Sequence, residues 1–433
     1  MIAAIVICAV TCLFMILSVL FFPKLRLGKV RVSTYWIVTL LGAAIILACN
    51  LVPIERVGKA LIADNAVNPL KILGLFLAMT VLSVFLDELG FFRALASAVL
   101  KRARTGQKRL FFTLYLIVSV LTVFTSNDVI VLSFTPFICY FAKNAKIDPV
   151  PYLAAEFVAA NTWSMALIIG NPTNIYLATA FNVNFVEYLK VAILPTVAAG
   201  AVALLFLFLL FYKKLSAPIE GEAENYAVQD KLQLWIGIAH LGACTVMLAV
   251  GPYLGIEMWI VALVAVGSLF LVSLIISAVR KQKPRAVLGC LKRAPYELVP
   301  FVLSMFVMIV VLSELGVTEK IGALFGERLP VLKYGVFSFL SANLVNNIPM
   351  SVLFSSIIST APSAAALPAA FATIVGSNLG ALLTPIGALA GIMWSGILRR
   401  HAVKFGFLDF LKLGAVVAIP SLFAALGTLM LVI

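Results

Sequence analysis

Residues Ser126-Asn127-Asp128 interrupt an apolar run that extends over positions 110–142. Polar side chains and a carboxylate within such a run are costly in hydrocarbon, and they persist mainly where they face a cavity or a partner. The stretch Asn346-Asn347-Ile348-Pro349 interrupts a second apolar run, at 334–360. Both runs are too long for a single crossing of about 20 residues. We therefore predict two re-entrant helical hairpins, 110–142 and 334–360, whose polar tips are buried in protein or line a water-filled cavity.

A further polar break follows each hairpin. Gly170-Asn171-Pro172-Thr173-Asn174 lies within the apolar segment 152–183, and Gly376-Ser377-Asn378 and Thr384-Pro385 lie within the segment 366–398. Glycine permits unusual backbone angles and proline removes a backbone donor, so both segments are predicted to be broken helices. Four polar breaks in matched positions of two hydrophobic halves indicate a transport site near the bilayer midplane.

The composition of the chain indicates that it folds in a membrane. Of its 433 residues, 63% are hydrophobic and only 12% are charged. No soluble domain of this size needs so much apolar surface, whereas a series of spans of about 20 residues does. We predict an all-α polytopic membrane protein with about ten crossings besides the two hairpins. The crossings are expected at 2–22, 34–53, 70–89, 152–183, 191–212, 233–253, 258–279, 299–316, 366–398 and 408–431.

The distribution of charge predicts the orientation of the chain. The 32 basic residues outnumber the 18 acidic residues, and in a soluble protein the net charge of +14 would suggest a nucleic-acid partner. Threading the chain through the predicted crossings instead places 25 of the 32 basic residues on one side. Basic loops are typical of the cytoplasmic side. We therefore predict a multi-pass protein of the cell membrane with both termini outside and no nucleic-acid partner.

The two halves are predicted to be inverted copies. Each half has five crossings, so the second half starts on the opposite side from the first. The stretch Phe85-Leu86-Asp87-Glu88-Leu89-Gly90 is similar to Val311-Leu312-Ser313-Glu314-Leu315-Gly316, and each precedes a hairpin. The expected organisation is a first repeat at 1–212, a cytoplasmic linker at 213–232 and a second repeat at 233–433.

The breaks supply the candidate substrate ligands. A helix interrupted within the membrane exposes backbone N–H groups, which attract anions or oxygen lone pairs, and carbonyl groups, which coordinate cations. Amide and hydroxyl side chains add neutral donors and acceptors without a buried charge. The candidate substrate-binding residues are Ser126, Asn127, Asp128, Asn161, Asn171, Pro172, Thr173, Asn174, Asn346, Asn347, Pro349, Ser377, Asn378, Thr384 and Pro385.

Two carboxylates are candidates for ion coupling. Asp128 lies at a hairpin tip, where it could carry a proton or help to bind a cation, or could cap the returning helix. Glu156 lies early in the first broken helix, either on a proton path or at a capping or surface position. No Lys or Arg falls at the predicted midplane. A dianion would therefore depend on helix termini, amides and bound cations, whereas a neutral polyhydroxyl solute needs only hydrogen bonds.

Catalytic signatures do not appear in the chain. It contains no H-E-x-x-H, no G-x-S-x-G and no G-x-x-x-x-G-K-[ST] motif, and its six cysteines form no C-x-x-C pair. We predict that the protein is not an enzyme and holds no metal or cofactor. Any use of ATP would then require a separate subunit.

The second-half motifs closely resemble those of the arsenite permeases of the ion transporter superfamily. The likeness rests on Asn346-Asn347-Ile348-Pro349 and Leu383-Thr384-Pro385-Ile386-Gly387, and it extends from about Leu82 to the C-terminus. The superfamily also includes sodium/proton antiporters and sodium-coupled carboxylate carriers. Many arsenite permeases carry Cys-Asp where this chain has Ser377-Asn378.

This resemblance implies a scaffold and a mobile transport domain with an elevator-like movement. It also implies proton-coupled efflux of arsenite or antimonite; the alternative is a sodium-coupled carrier of carboxylates or small anions, or a sodium/proton antiporter. The expected partners are a small solute, a coupling proton or sodium ion, and the lipid bilayer. A homodimer and a separate ATPase subunit remain open as further partners.

Overall fold

The fold is nearly all helical. The computed structural model describes residues 1–22, 24–27, 30–63, 68–102, 106–216, 228, 230–326 and 328–433. Within these residues the one sheet is an antiparallel hairpin of β1 (Lys24–Leu27) and β2 (Val30–Ser33). Nine helical segments of the described chain are long and apolar enough to cross a membrane, and Thr34–Ala48 and Asn347–Ile358 are shorter apolar helices.

The first ten helices include one hairpin and one broken helix. The turn at Thr125-Ser126 separates α6 from α7, and residues 164–171 separate α8 from α9, close to the predicted breaks. The helices are α1 (Ile2–Phe21), α2 (Thr34–Ala48), α3 (Ile54–Ile62), α4 (Pro69–Glu88), α5 (Phe91–Arg102), α6 (Gln107–Phe124), α7 (Asn127–Asn144), α8 (Val150–Trp163), α9 (Pro172–Ala180) and α10 (Phe185–Phe211).

The remaining ten helices have the same order of long, short, hairpin and broken elements. They are α11 (Lys231–Val250), α12 (Met258–Val279), α13 (Arg285–Arg293), α14 (Leu298–Glu314), α15 (Val317–Phe325), α16 (Pro330–Val345), α17 (Asn347–Ile358), α18 (Ser363–Gly380), α19 (Leu389–Arg400) and α20 (Phe407–Val432). The inverted relation of the two halves stays a prediction. Of the predicted linker 213–232, positions 217–227 and 229 lie outside the described residues.

The helices pack in two groups. In the hairpin bundle, formed by α6–α10 and α16–α20, α16 packs along α18, α10 along α20 and α6 along α8. In the flanking bundle, formed by α1, α2, α4, α11, α12 and α14, α1 packs on α2, α4 on α12 and α2 on α14. The bundles meet where α14 contacts α17 and where α4 contacts α7 and α9. The packing thus collects all the elements with polar breaks in the hairpin bundle, together with the long helices α10 and α20.

The contact between α16 and α18 depends on small residues. A Cβ atom added at Gly376 would overlap Ser338 Oγ and the Gly335 carbonyl oxygen and would lie 2.8 Å from the Phe339 nitrogen. Close approach of two helix backbones through small residues is the usual way in which membrane helices associate. This contact holds the second hairpin against the second broken helix.

We predict that Gly376→Ala destabilises the protein by about 1–3 kcal/mol, because the added methyl group forces the two backbones apart. Thermal unfolding of the purified protein in detergent measures the effect. Gly396→Ala is the matched control, since nothing lies within 4 Å of its added Cβ. Equal melting temperatures for the two variants would contradict the close packing of α16 and α18.

Ion pairs join the ends of α4 and α14 to the short helix of the other half. Arg293 in α13 bonds Asp87 at 2.6 Å and Glu88 at 2.7 Å, and Arg56 in α3 pairs with Glu314. Asp87 is only 4% exposed. After each acidic end the chain turns through a left-handed glycine, Gly90 at φ 80° or Gly316 at φ 68°. The similar segments noted in the sequence therefore occupy similar structural positions.

Candidate functional site

Four helix N-termini converge on one small cavity. It is lined by the first residues of α7 and α17 and by residues at the starts of α9 and α19, and its volume of about 10 Å³ is enough for about one water molecule. The lining residues are Asn127, Asp128, Asn171, Pro172, Asn347, Ile348, Ala388 and Leu389. The structure therefore brings both hairpin tips and both helix breaks together, and five of the predicted site residues line the cavity.

The electrostatics of the cavity combine helix dipoles with one carboxylate. Each helix N-terminus carries a partial positive charge from the helix dipole, although the first N–H groups of α9 and α17 are already hydrogen-bonded within the protein. Asp128 is half-buried and is the one charged side chain among the lining residues. Its backbone N–H donates to Asn127 Oδ1 at 2.9 Å. The cavity thus combines the positive ends of four helices and amide side chains with a single anionic acceptor, and its lining has no lysine, arginine or histidine.

Asn378 connects the two broken helices. Its Oδ1 accepts hydrogen bonds from Ser164 Oγ and Asn171 Nδ2, both at 2.9 Å. Its Nδ2 donates to Asn174 Oδ1 at 2.7 Å and to the Ile374 carbonyl at 2.8 Å. The side chain is fully buried. Asn378 and Asn174 therefore make up a junction between the halves and do not line the cavity; Asn171 belongs to both.

The first hairpin tip is held by another amide pair. Asn127 Nδ2 donates to Asn161 Oδ1 at 3.1 Å, and Asn161 Nδ2 donates to the Phe157 carbonyl at 2.9 Å. Asn161 lies two residues before the end of α8, as Asn378 does in α18. The contact fixes the position of Asn127 in the cavity wall.

The second hairpin tip is fixed mainly through backbone groups. Asn346 has φ 73°, and its Nδ2 donates to the Ile386 carbonyl at 2.9 Å. The Asn347 N–H donates to the Gly387 carbonyl at 3.0 Å. Thr384 Oγ1 donates to Asn343 Oδ1 at 2.7 Å, while Asn343 Nδ2 donates to the Gly380 carbonyl at 3.1 Å. Asn343 was not among the predicted site residues, although it belongs to the same amide-rich stretch.

Several hydroxyl groups at the breaks are buried without a hydrogen-bond partner among the described residues. They are Ser126 Oγ, Thr162 Oγ1, Thr173 Oγ1 and Ser377 Oγ. Three of them were predicted as ligands, and Thr162 was not. Pro349 is buried within α17, and the half-buried Pro385 packs its carbonyl against Gly391; neither lines the cavity.

Glu156 lies apart from the cavity lining. It is completely buried, and both carboxylate oxygens accept from Thr135 Oγ1, at 3.1 and 3.2 Å. Trp394 Nε1 donates to Oε2 at 3.3 Å. The carboxylate therefore joins α7, α8 and α19, and it occupies neither of the surface or capping positions that the sequence also allowed. Thr135 and Trp394 were missed because their spacing from Glu156 carries no motif.

We predict that Glu156→Gln folds normally, since the amide oxygen still accepts from Thr135 and Trp394. Glu156→Ala should lose about 1–3 kcal/mol, because a buried hydroxyl and a buried indole N–H are left without an acceptor. Melting temperatures in detergent compare the two variants. Equal destabilisation by both would mean that the charge, and not the hydrogen bonding, stabilises this junction.

The comparisons with known proteins identify the family. The citrate transporter family, CitMHS, matches residues 29–376. The chain belongs to this family. The arsenical pump membrane protein of Escherichia coli K12 is 29% identical to this chain. The alignment covers 82% of this chain and 85% of the Escherichia coli protein. A second Escherichia coli arsenical pump membrane protein is 30% identical over the same shares. The resemblance to arsenite permeases is thereby confirmed.

A solved structure has the same fold. The Alcanivorax borkumensis YdaH transporter, whose topology is described as unusual, superposes with a TM-score of 0.56 at 14% identity. The superposition covers 99% of this chain and 97% of the other. The predicted helical, polytopic transporter fold is confirmed. This citrate transporter family member is a multi-pass membrane protein and a secondary transporter of small solutes.

Proposed function

We propose that the protein exports arsenite or antimonite in exchange for protons. The observation that carries this proposal is the cavity at the four helix N-termini, with amides, one carboxylate and no basic side chain in its lining. A neutral trihydroxide can donate its hydroxyl protons to Asp128 and to amide oxygens. Its oxygen atoms can in turn accept from side-chain amide N–H groups, in the positive field of the helix starts.

Size and charge favour such a solute over a polycarboxylate. The cavity has a volume of about 10 Å³, so either substrate requires the hairpin tips to open, but a tricarboxylate requires far more space. A polyanion would also approach the Asp128 carboxylate with no lysine or arginine in the lining to offset the repulsion. The names of the arsenical pump relatives agree with the smaller neutral substrate.

Asp128 supplies a simple route to proton exchange. The ionised carboxylate accepts hydrogen bonds from the solute hydroxyls, whereas the protonated carboxyl group has lost part of its acceptor capacity. A proton that binds Asp128 from the more acidic side therefore displaces the solute. Glu156, which bridges α7, α8 and α19, is the second coupling candidate because its protonation would change the hydrogen bonds between three elements of the hairpin bundle.

The movement we propose is a displacement of the hairpin bundle against the flanking bundle. The substrate cavity is enclosed by elements of the hairpin bundle alone. A bound solute could therefore travel with that bundle while α1, α2, α4, α11, α12 and α14 stay in place. This is the elevator-like mechanism that the sequence resemblance implies.

A second candidate, a carrier of small anions or carboxylates, is favoured by one specific observation. Four helix N-termini surround the cavity, and helix N-termini attract anions. If Asp128 is protonated, the lining residues carry no negative charge that would offset the positive field of the helix starts. The description of the matched family as a citrate transporter agrees with this candidate.

Growth and transport assays distinguish the two candidates. An arsenite-sensitive bacterium without its own efflux system, expressing this chain, should grow at arsenite and antimonite concentrations that stop cells with empty vector. Everted membrane vesicles should accumulate arsenite under an imposed proton gradient. This accumulation should stop when a protonophore is added. Absence of resistance, together with sodium-stimulated citrate uptake into right-side-out vesicles, would overturn the proposal in favour of the second candidate.

A further inference from the structure

A second, much larger pocket lies between the two bundles. Its volume is about 430 Å³, which is in the range of ligand sites. One wall is formed by the start of α4 and the start of α12, both in the flanking bundle, and the other by the end of α9 and the turn before α10. It is lined by Lys71, Ile72, Leu75, Thr179, Asn182, Val183, Asn184, Gly255, Ile256, Glu257, Met258 and Trp259. None of the predicted site residues belongs to it.

One positive and one negative charge stand side by side in this pocket. Lys71 Nζ lies 2.7 Å from Glu257 Oε2 and 3.0 Å from Oε1. Trp259 Nε1 donates to Glu257 Oε2 at 3.0 Å, which orients the carboxylate. Thr179 Oγ1 is buried and has no hydrogen-bond partner among the described residues. Among the described lining residues the charges of Lys71 and Glu257 balance, and this pair of opposite charges suits a ligand that carries both.

The pocket lies at the level where membrane spans begin and end. The helices α4, α10 and α12 start beside it and α9 ends beside it, so it falls at the depth of lipid headgroups. Tryptophan is enriched at this depth. Below the pocket, α12 exposes Leu263, Val264 and Leu271 at 44%, 63% and 60%. These exposed apolar side chains lie on the same helix as Met258 and Trp259 of the pocket, and they form a surface that acyl chains can cover.

We propose that this pocket binds the headgroup of a zwitterionic phospholipid of the phosphoethanolamine type. The primary ammonium group, with three N–H donors, binds the Glu257 carboxylate, and the phosphate binds the Lys71 ammonium and the Asn182 amide. An anionic headgroup meets the repulsion of Glu257. A choline headgroup carries no N–H donor for that carboxylate. A lipid in this position contacts both bundles, so its binding bears on their relative movement.

Lipid binding to the delipidated full-length protein in detergent tests the site. Native mass spectrometry with phosphatidylethanolamine, phosphatidylcholine and phosphatidylglycerol should show preferential retention of phosphatidylethanolamine. Glu257→Gln should weaken that retention by at least about tenfold, because one charge-assisted hydrogen bond is lost. Asp148→Asn is the matched control, since it breaks the exposed pair with Lys214 at a distance of 2.7 Å and lies outside the pocket.

Lys71→Gln is the second variant, and it should reduce phosphatidylethanolamine retention to the same extent. It replaces Glu257→Gln in the test if that variant does not fold. Equal retention of the three lipids by the unaltered protein would overturn the proposal, as would equal losses in Glu257→Gln and Asp148→Asn. If glycerophosphoethanolamine binds as tightly as the intact lipid, the proposal that the ligand is a phospholipid is overturned. The pocket would then be a site for a soluble zwitterion. Arsenite transport is not part of this readout, so the two proposals fail independently.

Discussion

Asp128→Asn is expected to weaken arsenite binding by about 10- to 100-fold and to remove its dependence on pH. The carboxylate is the one charged side chain in the cavity lining, and hydrogen bonds to a charged group contribute about 1.5–3 kcal/mol each. The amide has the same shape and keeps the start of α7 intact, but it binds no proton. Initial rates of arsenite uptake by everted vesicles, measured over a range of arsenite concentrations and pH values, give the affinity and its pH dependence.

A rescue variant makes this test specific to the cavity. Asp128 and Ile348 are the second residues of α7 and α17, and both line the same space. The double variant Asp128→Asn with Ile348→Asp therefore returns a carboxylate to the cavity from the opposite hairpin tip. It should recover part of the arsenite affinity and its pH dependence. Unchanged affinity and pH dependence in the single variant would remove Asp128 from the proposed mechanism.

Asn378→Ala is expected to lower both stability and transport strongly. The substitution removes four hydrogen bonds and leaves Ser164, Asn171 and Asn174 without their partner in a fully buried junction. Side-chain hydrogen bonds between membrane helices contribute about 0.6–1.7 kcal/mol each, so a loss of about 2–4 kcal/mol is expected. Thermal unfolding in detergent measures the loss of stability. Arsenite uptake measures the loss of transport, which we expect because Asn171 in the cavity wall loses its bond to Asn378.

The neighbouring residue provides a close control. Ser377 is equally buried, but its Oγ has no hydrogen-bond partner among the described residues. Ser377→Ala should therefore leave the melting temperature unchanged. If Ser377→Ala lowers the melting temperature as much as Asn378→Ala, the stability of this region does not depend on the amide junction.

The positions of the breaks could be predicted because polar side chains are so costly in hydrocarbon. The stretches around Asn127, Asn171, Asn347 and Ser377 each stand out against apolar neighbours, and the structure interrupts helices at or close to each of them. The two-stranded sheet of β1 and β2 was not predicted, since its alternating basic and apolar residues read as a cytoplasmic loop.

The roles of individual site residues were not predictable in the same way. Asn378 and Asn347 look alike in the sequence, yet one closes the junction between the broken helices and the other lines the cavity. The difference depends on the surroundings of each side chain in the folded protein: Asn378 faces residues of the first half, whereas Asn347 faces the cavity. The sequence around each asparagine carries no information about these distant neighbours. The same holds for Glu156, whose partner Trp394 is 238 residues away.

The pairing of Asp87 with Arg293 also constrains the biosynthesis of the protein. The two residues are 206 positions apart, and the carboxylate is almost completely buried in the finished molecule. At about 5–20 residues per second, the ribosome delivers the arginine roughly 10–40 s after the aspartate. Until α13 emerges, the nascent first half must therefore keep this carboxyl group hydrated or protonated, because an unpaired buried charge is costly. Fragments 1–216 and 228–433 should accumulate in membranes only when they are produced in the same cell.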